Sequence, residues 1–137
     1  MYNDNYETCK KTYVTLRVYC DNMQPDALTE FLGIIPTETQ TKGQKNELRV
    51  NKLIERNGWF LTSENIITSK DSRRHIDYLA DKLLPIKAKL KSLTQDGNKV
   101  DISCFWESES GHGGPTLSQQ QLSKLADLGV ELWFDIY

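Results

Sequence analysis

The stretch richest in chemical side chains runs from Cys104 to Ser118, Cys-Phe-Trp-Glu-Ser-Glu-Ser-Gly-His-Gly-Gly-Pro-Thr-Leu-Ser. Gly111, Gly113 and Gly114 surround His112, and Glu107 and Glu109 come just before it. Glycines accept positive φ, so their amides can line a concave nest ahead of a helix N-terminus, the geometry of an anion site. The two carboxylates oppose an anion there. Together with His112 they are ligand types for a divalent cation, but further ligands would have to come from elsewhere in the chain. Cys104 and His112 could form a nucleophile–base pair, yet Cys104 shares its strand side with Val100, Ile102 and Trp106, where a thiol is packing rather than reagent. No Gly-x-Ser-x-Gly motif and no second base accompany them. No catalytic residue and no metal ligand is therefore assigned. The candidate ligand set is Trp106, Glu107, Glu109, His112, Gly113 and Gly114, and the competing reading is a tight architectural turn.

The elements around this stretch follow from periodicity. Val100, Ile102, Cys104 and Trp106 alternate with Asp101, Ser103, Phe105 and Glu107, which predicts a strand leading into the turn. Ser118-Gln-Gln-Gln121 predicts a capping box, with Leu117 and Leu122 as a hydrophobic staple and Leu122, Leu125 and Ala126 as the buried stripe. Gly129 then caps the helix, and Val130 to Tyr137 alternates as a last strand. Earlier in the chain, Tyr13 to Cys20 alternates as a strand, and Pro25 to Leu32 is a short helix closed by Gly33. Residues 37–47 read as an exposed loop, Leu48 to Ile54 as a weak strand, and Asn57-Gly58 as a hairpin turn into a strand at Trp59 to Thr62. The apolar phase runs from about Ser72 to Leu93 straight through Pro85, which predicts one kinked helix or two collinear segments, with His75 as a solvated residue at the start.

The expected order is β-α-β-β-α-β-α-β. This is an α+β fold with a mixed or mostly antiparallel sheet, helices packed on one face, ferredoxin-like in its first six elements. Residues 1–12 are expected to be flexible and 13–137 to form a single domain. On the strand sides opposite the apolar stripes lie Tyr13, Arg17, Tyr19, Phe105, Trp133, Asp135 and Tyr137. If those strands neighbour one another, one sheet face carries aromatics mixed with charge. Tyr13, Arg17, Tyr19, Trp133 and Asp135 are then a candidate protein-interaction face, unless a helix or loop covers it.

With 137 residues, 38% hydrophobic and 26% charged, the chain has the composition of a soluble domain. No apolar run is long enough for a membrane helix, and the first residues are not a secretory signal. The cysteines, Cys9, Cys20 and Cys104, fit neither a disulfide framework nor a zinc site, so a reduced, cytoplasmic protein is expected. The net charge is -2; residues 70–91 hold seven basic and three acidic side chains, whereas 96–137 hold two basic and seven acidic. Only that middle segment could supply a basic face, and a solvated helix explains it more simply, so no nucleic-acid partner is expected. No cofactor is implied.

Cys104 to Ser118, with Leu122, Leu125, Leu128-Gly129 and the terminal Phe134-Asp-Ile-Tyr137, resembles a bacterial family catalogued as domain of unknown function 4279. Pro25-Asp26, Leu32-Gly33-Ile34, Pro36-Thr37, Lys42-Gly43 and Gly58-Trp59 fit the same family, so the resemblance covers about Tyr13 to Tyr137. It implies a small, single-domain bacterial protein and carries over no activity or catalytic residue. The expected function is a non-enzymatic binding or protein-interaction module, immunity-like in size and acidity. The alternative is a small-ligand-binding protein or enzyme using the Glu107–Gly114 turn.

Overall fold

The computed structural model describes all residues 1–137. Its elements are β1 (Cys9–Cys20), α1 (Pro25–Leu32), β2 (Glu38–Gln40), β3 (Asn57–Thr62), α2 (Ser72–Leu83), a single 3-10 turn (Leu84–Ile86), α3 (Lys87–Gln95), β4 (Lys99–Ser108), α4 (Gln119–Leu128) and β5 (Glu131–Ile136). The strands form one sheet in the order β2-β3-β1-β4-β5. All neighbours are antiparallel except β4 and β5, which are parallel and joined through α4. The fold is α+β with a mixed sheet. In its first six elements β1 and β2 flank β3, the split arrangement of a ferredoxin-like unit, and α4–β5 extends that unit by one strand.

The helices lie on one side of the sheet. Val14, Leu16 and Val18 of β1, Trp59 and Leu61 of β3, and Val100, Ile102 and Cys104 of β4 point there. They pack against Leu28 and Leu32 of α1, Ile76, Leu79, Ala80 and Leu83 of α2, Leu90 and Leu93 of α3, and Leu125 and Leu128 of α4. Each fully buried leucine or isoleucine removes enough apolar surface for about 2 kcal/mol. The Trp59 indole N–H also donates to Thr29 Oγ1 at 3.0 Å, tying α1 to β3. Pro85 sits in the 3-10 turn, so the periodic helix is two segments sharing one apolar phase, as its position predicts.

Several local expectations need correction. The weak strand at Leu48–Ile54 is absent: that segment forms turns with one isolated bridge, Lys45–Leu53, and Leu48, Val50 and Leu53 are exposed. The edge strand is instead Glu38–Gln40, inside the expected loop. Its short polar sequence has no apolar alternation to announce it, which is how edge strands avoid further pairing. Asn57-Gly58 is not a hairpin turn but the start of β3. Asn57 is buried, accepting from the Lys42 amide at 2.8 Å and donating to Met23 O at 3.0 Å. Gly58 is there for close approach: a Cβ would lie 2.6 Å from Phe60 Cζ and 2.7 Å from Gln40 Cγ.

The first residues are tied down rather than frayed. β1 begins at Cys9, and ahead of it Asn3 N–H donates to Asp71 at 2.6 Å. Asp4 accepts from Ser69 Oγ at 2.6 Å and Arg74 Nε at 2.9 Å, and the Tyr2 hydroxyl donates to Asp77. His75 is buried, not solvated, between Ser63 Oγ (2.7 Å) and Ser69 O (2.8 Å). In α4 the buried positions are Gln121, Leu125 and Leu128, while Leu122 and Ala126 face solvent. Gln121 takes the inward position because both ends of its amide are satisfied: Oε1 accepts from Ser118 N–H at 2.9 Å, and Nε2 donates to Asp77 at 2.9 Å. Leu122 is thus too exposed for the expected staple.

Candidate functional site

The turn from Glu107 to Gly114 is built as a connector. Ser108 Oγ donates to His112 O at 2.7 Å and accepts from Gly111 N–H at 2.8 Å, so one side chain closes the loop on itself. Gly113 has φ +93°, and a Cβ there would lie 2.5 Å from Thr8 Oγ1, so the turn presses its backbone against the N-terminal arm. Tyr6 clamps it further, donating to Gly114 O at 2.7 Å. His112 is exposed, with Nδ1 2.9 Å from Ser110 Oγ in its own loop. Glu107 is paired with Lys10 at 3.5 Å, and the Glu109 amide donates to Thr8 O at 2.8 Å. Trp106 belongs to the opposite, helix-facing side: it is 1% exposed and its indole N–H has no acceptor. The six residues of the candidate ligand set therefore share a segment but do not enclose a common cavity. No His, Cys, Asp and Glu side chains cluster in threes in a way that could hold a metal ion.

The cysteines are all free and buried. Burial raises the Cys104 thiol pKa, with Ser72 and Thr12 alongside, and raises Cys9 to about 11. Neither has thiolate character near neutral pH.

The other face of the sheet is organised differently, because no helix covers it. Register sets the rows. Tyr13, Phe105 and Asp135 lie side by side across β1, β4 and β5. The next row is Thr62, Thr15, Ser103 and Trp133. The third is Glu38, Phe60, Arg17, Asp101 and Glu131. Small side chains in the middle row thus run between two bulkier rows. The result is a trough of about 350 Å³ whose rim includes Leu48 from the loop after β2. Tyr13 stacks on Phe105 with centroids 4.8 Å apart, Phe105 meets Tyr137 at 5.1 Å, and Tyr19 meets Phe60 edge-on at 5.6 Å.

Arg17 is committed within this face. Its Nε and Nη2 donate to the two oxygens of Asp101 at 2.7 and 2.8 Å, and its guanidinium lies 4.8 Å from the Trp133 ring. Asp101 is 4% exposed, shielded from water on an otherwise open face, and its hydrogen bonds raise the Arg17 pKa. Burial, then the nearby Glu64 charge, raises the pKa of the Tyr13 phenol. Lys11 holds Glu64 at 2.6 Å. Glu38, Glu131 and Asp135 form no ion pair.

Of the interaction face read from the sequence, Tyr13, Arg17 and Tyr19 of β1 share this surface with Trp133 and Asp135 of β5, and β4 lies between them. Arg17 serves as a pillar rather than a free arm. Three participants were missed: Glu38 sits on the unannounced edge strand, Phe60 joins the face only once β3 is known to pair with β1, and Asp101 becomes Arg17's partner only once β1 and β4 are known to pair. Opposite charges at polar positions of two strands were the available signal, but they do not name the pairing.

No helix is long and apolar enough to cross a membrane. No curated protein and no solved structure matches the chain. The model of one family, described as a domain of unknown function (DUF4279), matches residues 10–137, from the start of β1 through β5 and so over every row of the open face, and the chain belongs to that family.

Proposed function

We propose that this is a non-enzymatic binding module whose recognition surface is the open face of the sheet and whose partner is another protein. One observation carries the reading: Tyr13, Tyr19, Phe60, Phe105, Trp133 and Tyr137 are gathered on one uncovered face of a single sheet. Aromatics dominate interface energetics and lose little entropy when buried, and strands hold them in fixed register. The acidic residues Glu38, Glu131 and Asp135 on the same face favour a protein over a nucleic acid, whose phosphates they would repel. Three unpaired buried cysteines fit a reducing compartment, so a cytoplasmic, immunity-like role of sequestering a partner belongs to the same proposal, as does the bacterial origin implied by the family resemblance.

The test is a photoreactive benzophenone side chain at position 133, with Ser123 on α4 as the control site. The expected result is a discrete covalent adduct from 133 alone, whose purified partner binds the wild-type chain and loses affinity for Tyr13→Ala. Equal capture from both positions refutes the reading. So does a metabolite that raises the melting temperature of the wild type but not of His112→Ala, since that would place binding at the glycine turn.

A further inference from the structure

We infer that the trough on the open face takes a basic, extended polypeptide segment, lying across the strands with one lysine or arginine side chain at each end. This rests on the open face being the recognition surface, and it adds the partner's chemistry and spacing.

The argument is one of shape and charge. Thr62, Thr15 and Ser103 of the middle row form a channel perpendicular to the strands that runs up to Trp133 on β5. Two cations on the face are already paired: Arg17 is gripped by Asp101 at 2.7 Å, and Lys11 by Glu64 at 2.6 Å. Lys99 also approaches Asp101, at 4.0 Å. The trough keeps two carboxylates with no cation, Asp135 on β5 at one end and Glu38 on β2 at the other. Four strand spacings separate β2 from β5, about 19 Å, and the two carboxylates also lie two rows apart, about 13 Å along the strands, so the diagonal between them is about 23 Å, which six extended residues span once the length of the two basic side chains is added. Two basic residues six apart also point to the same side of an extended chain, toward the sheet.

The walls suit the stems and heads of such side chains. The chain's own cations lie over rings at the edges of this face, Lys11 over Tyr13 at 5.3 Å and Arg17 over Trp133 at 4.8 Å. Phe60 and Phe105 flank the channel; Phe105 is already stacked on Tyr13 and set against Tyr137, so the aliphatic stems of the partner's basic side chains pack along the ring edges. A polyanion meets unpaired carboxylates at both ends, and a neutral apolar segment leaves them desolvated and unpaired. A basic segment satisfies both.

The probe is the heptapeptide acetyl-Lys-Ser-Val-Ser-Val-Ser-Lys-amide, titrated into the folded chain and followed by amide NMR shifts of Thr15, Thr62 and Ser103. The expected result is saturable shifts at these three residues, with affinity falling about three- to five-fold in Asp135→Asn and again in Glu38→Gln, the size of partly exposed ion pairs. Glu30→Gln on α1, across the molecule, leaves the affinity unchanged. Neither test carboxylate makes a hydrogen bond in the folded chain, so both amide variants retain the wild-type melting temperature. The inference is overturned by absence of shifts up to about 1 mM peptide, by equal binding of the peptide with glutamate at both ends, or by an equal loss in Glu30→Gln. It is also overturned if tetramethylammonium at matched charge gives the same shifts, which would assign the trough to a small free cation. If benzophenone at 133 captures a specific partner and the lysine peptide fails, the recognition surface stands and its basic occupant falls. If the peptide binds and position 133 captures nothing, the trough's chemistry stands and the native protein partner falls.

Discussion

Asp101→Asn tests the organisation of the open face most directly. The carboxylate is almost wholly buried and makes two short hydrogen bonds to Arg17, at 2.7 and 2.8 Å. Asparagine keeps one acceptor oxygen but turns an NH2 toward the guanidinium, so one charge-assisted bond, worth about 1.5–3 kcal/mol, is lost. The full 3–5 kcal/mol for orphaning a buried charge is about an upper limit. It is not reached, because the Arg17 side chain is 21% exposed and water can reach its edge. The expected loss is about 2–3 kcal/mol, or about 8–12 °C in melting temperature for a domain of this size. Urea denaturation of wild type, Asp101→Asn, Arg17→Met and the double variant Arg17→Met/Asp101→Asn measures it. The double variant recovers part of the loss, since removing both charges leaves neither unpaired, and the coupling energy is about 2 kcal/mol. A loss under about 0.5 kcal/mol, or strictly additive single variants, would show a screened surface pair and refute the pillar role assigned to Arg17.

The remaining predictions concern other links in the same architecture. Gly58→Ala forces the Phe60 ring and the Gln40 stem to move; the strain outweighs the entropy gained by losing a glycine, for a net cost of about 1 kcal/mol in thermal melts, with amide shifts at Thr62 and Glu38. His75 has its pKa lowered by burial, so the folded protein binds fewer protons than the unfolded chain below the ordinary histidine value of 6.5. Stability therefore falls as pH drops below about 6.5, by up to about 1.4 kcal/mol per pH unit, until the folded-state pKa is passed. Asp71, Asp4 and Arg74 lie around the ring, but the lowered pKa values of Asp71 and Asp4 place their losses below pH 3.8, a separate window. Denaturation midpoints between pH 7 and 5 should lose this slope in His75→Gln. His112→Ala leaves stability within about 0.5 kcal/mol of wild type, since the ring is exposed and its one bond is to Ser110; a melt showing a loss of 1–2 kcal/mol contradicts this.

Much of the fold was legible because it rests on burial with a clear period. Val14-Leu16-Val18, Leu28-Phe31-Leu32 and Ile76-Leu79-Leu83 each announce their element, and the phase through Pro85 announces the joined α2 and α3. The misreadings share a different cause. Leu48, Val50 and Ile54 have strand-like spacing yet no face to bury against, while Glu38-Thr39-Gln40 has no pattern and pairs through its backbone alone. His75, Gln121 and Asp101 are buried although polar, because partners distant in sequence satisfy them, and local patterns do not reveal such partners. The same limit applied to the open face. Which side of each strand it used was readable from alternation, whereas the rows that make a trough depend on β4 lying between β1 and β5.

The contrast between the two candidate sites follows from what folding requires of each. At the glycine turn, the special residues already serve the fold, leaving only the exposed His112 ring and Glu109 carboxylate: Ser108 closes the loop, Gly113 admits Thr8, Tyr6 holds Gly114, and Ser118 starts α4. Removing them costs structure, so structure accounts for their presence. On the open face the reverse holds. An antiparallel sheet with one side in water needs only polar residues there, and threonine at positions 13, 60, 105 and 133 would suit strand geometry as well. Aromatic side chains at those positions leave apolar surface wet: Trp133 is 38% and Tyr137 67% exposed. They are stacked on one another and on Arg17 with no second layer above them, so much of their apolar surface contributes to stability only when something covers it. Surface held ready in this way, and edged by carboxylates that the chain itself leaves unpaired, is what a binding face needs and what a fold alone does not.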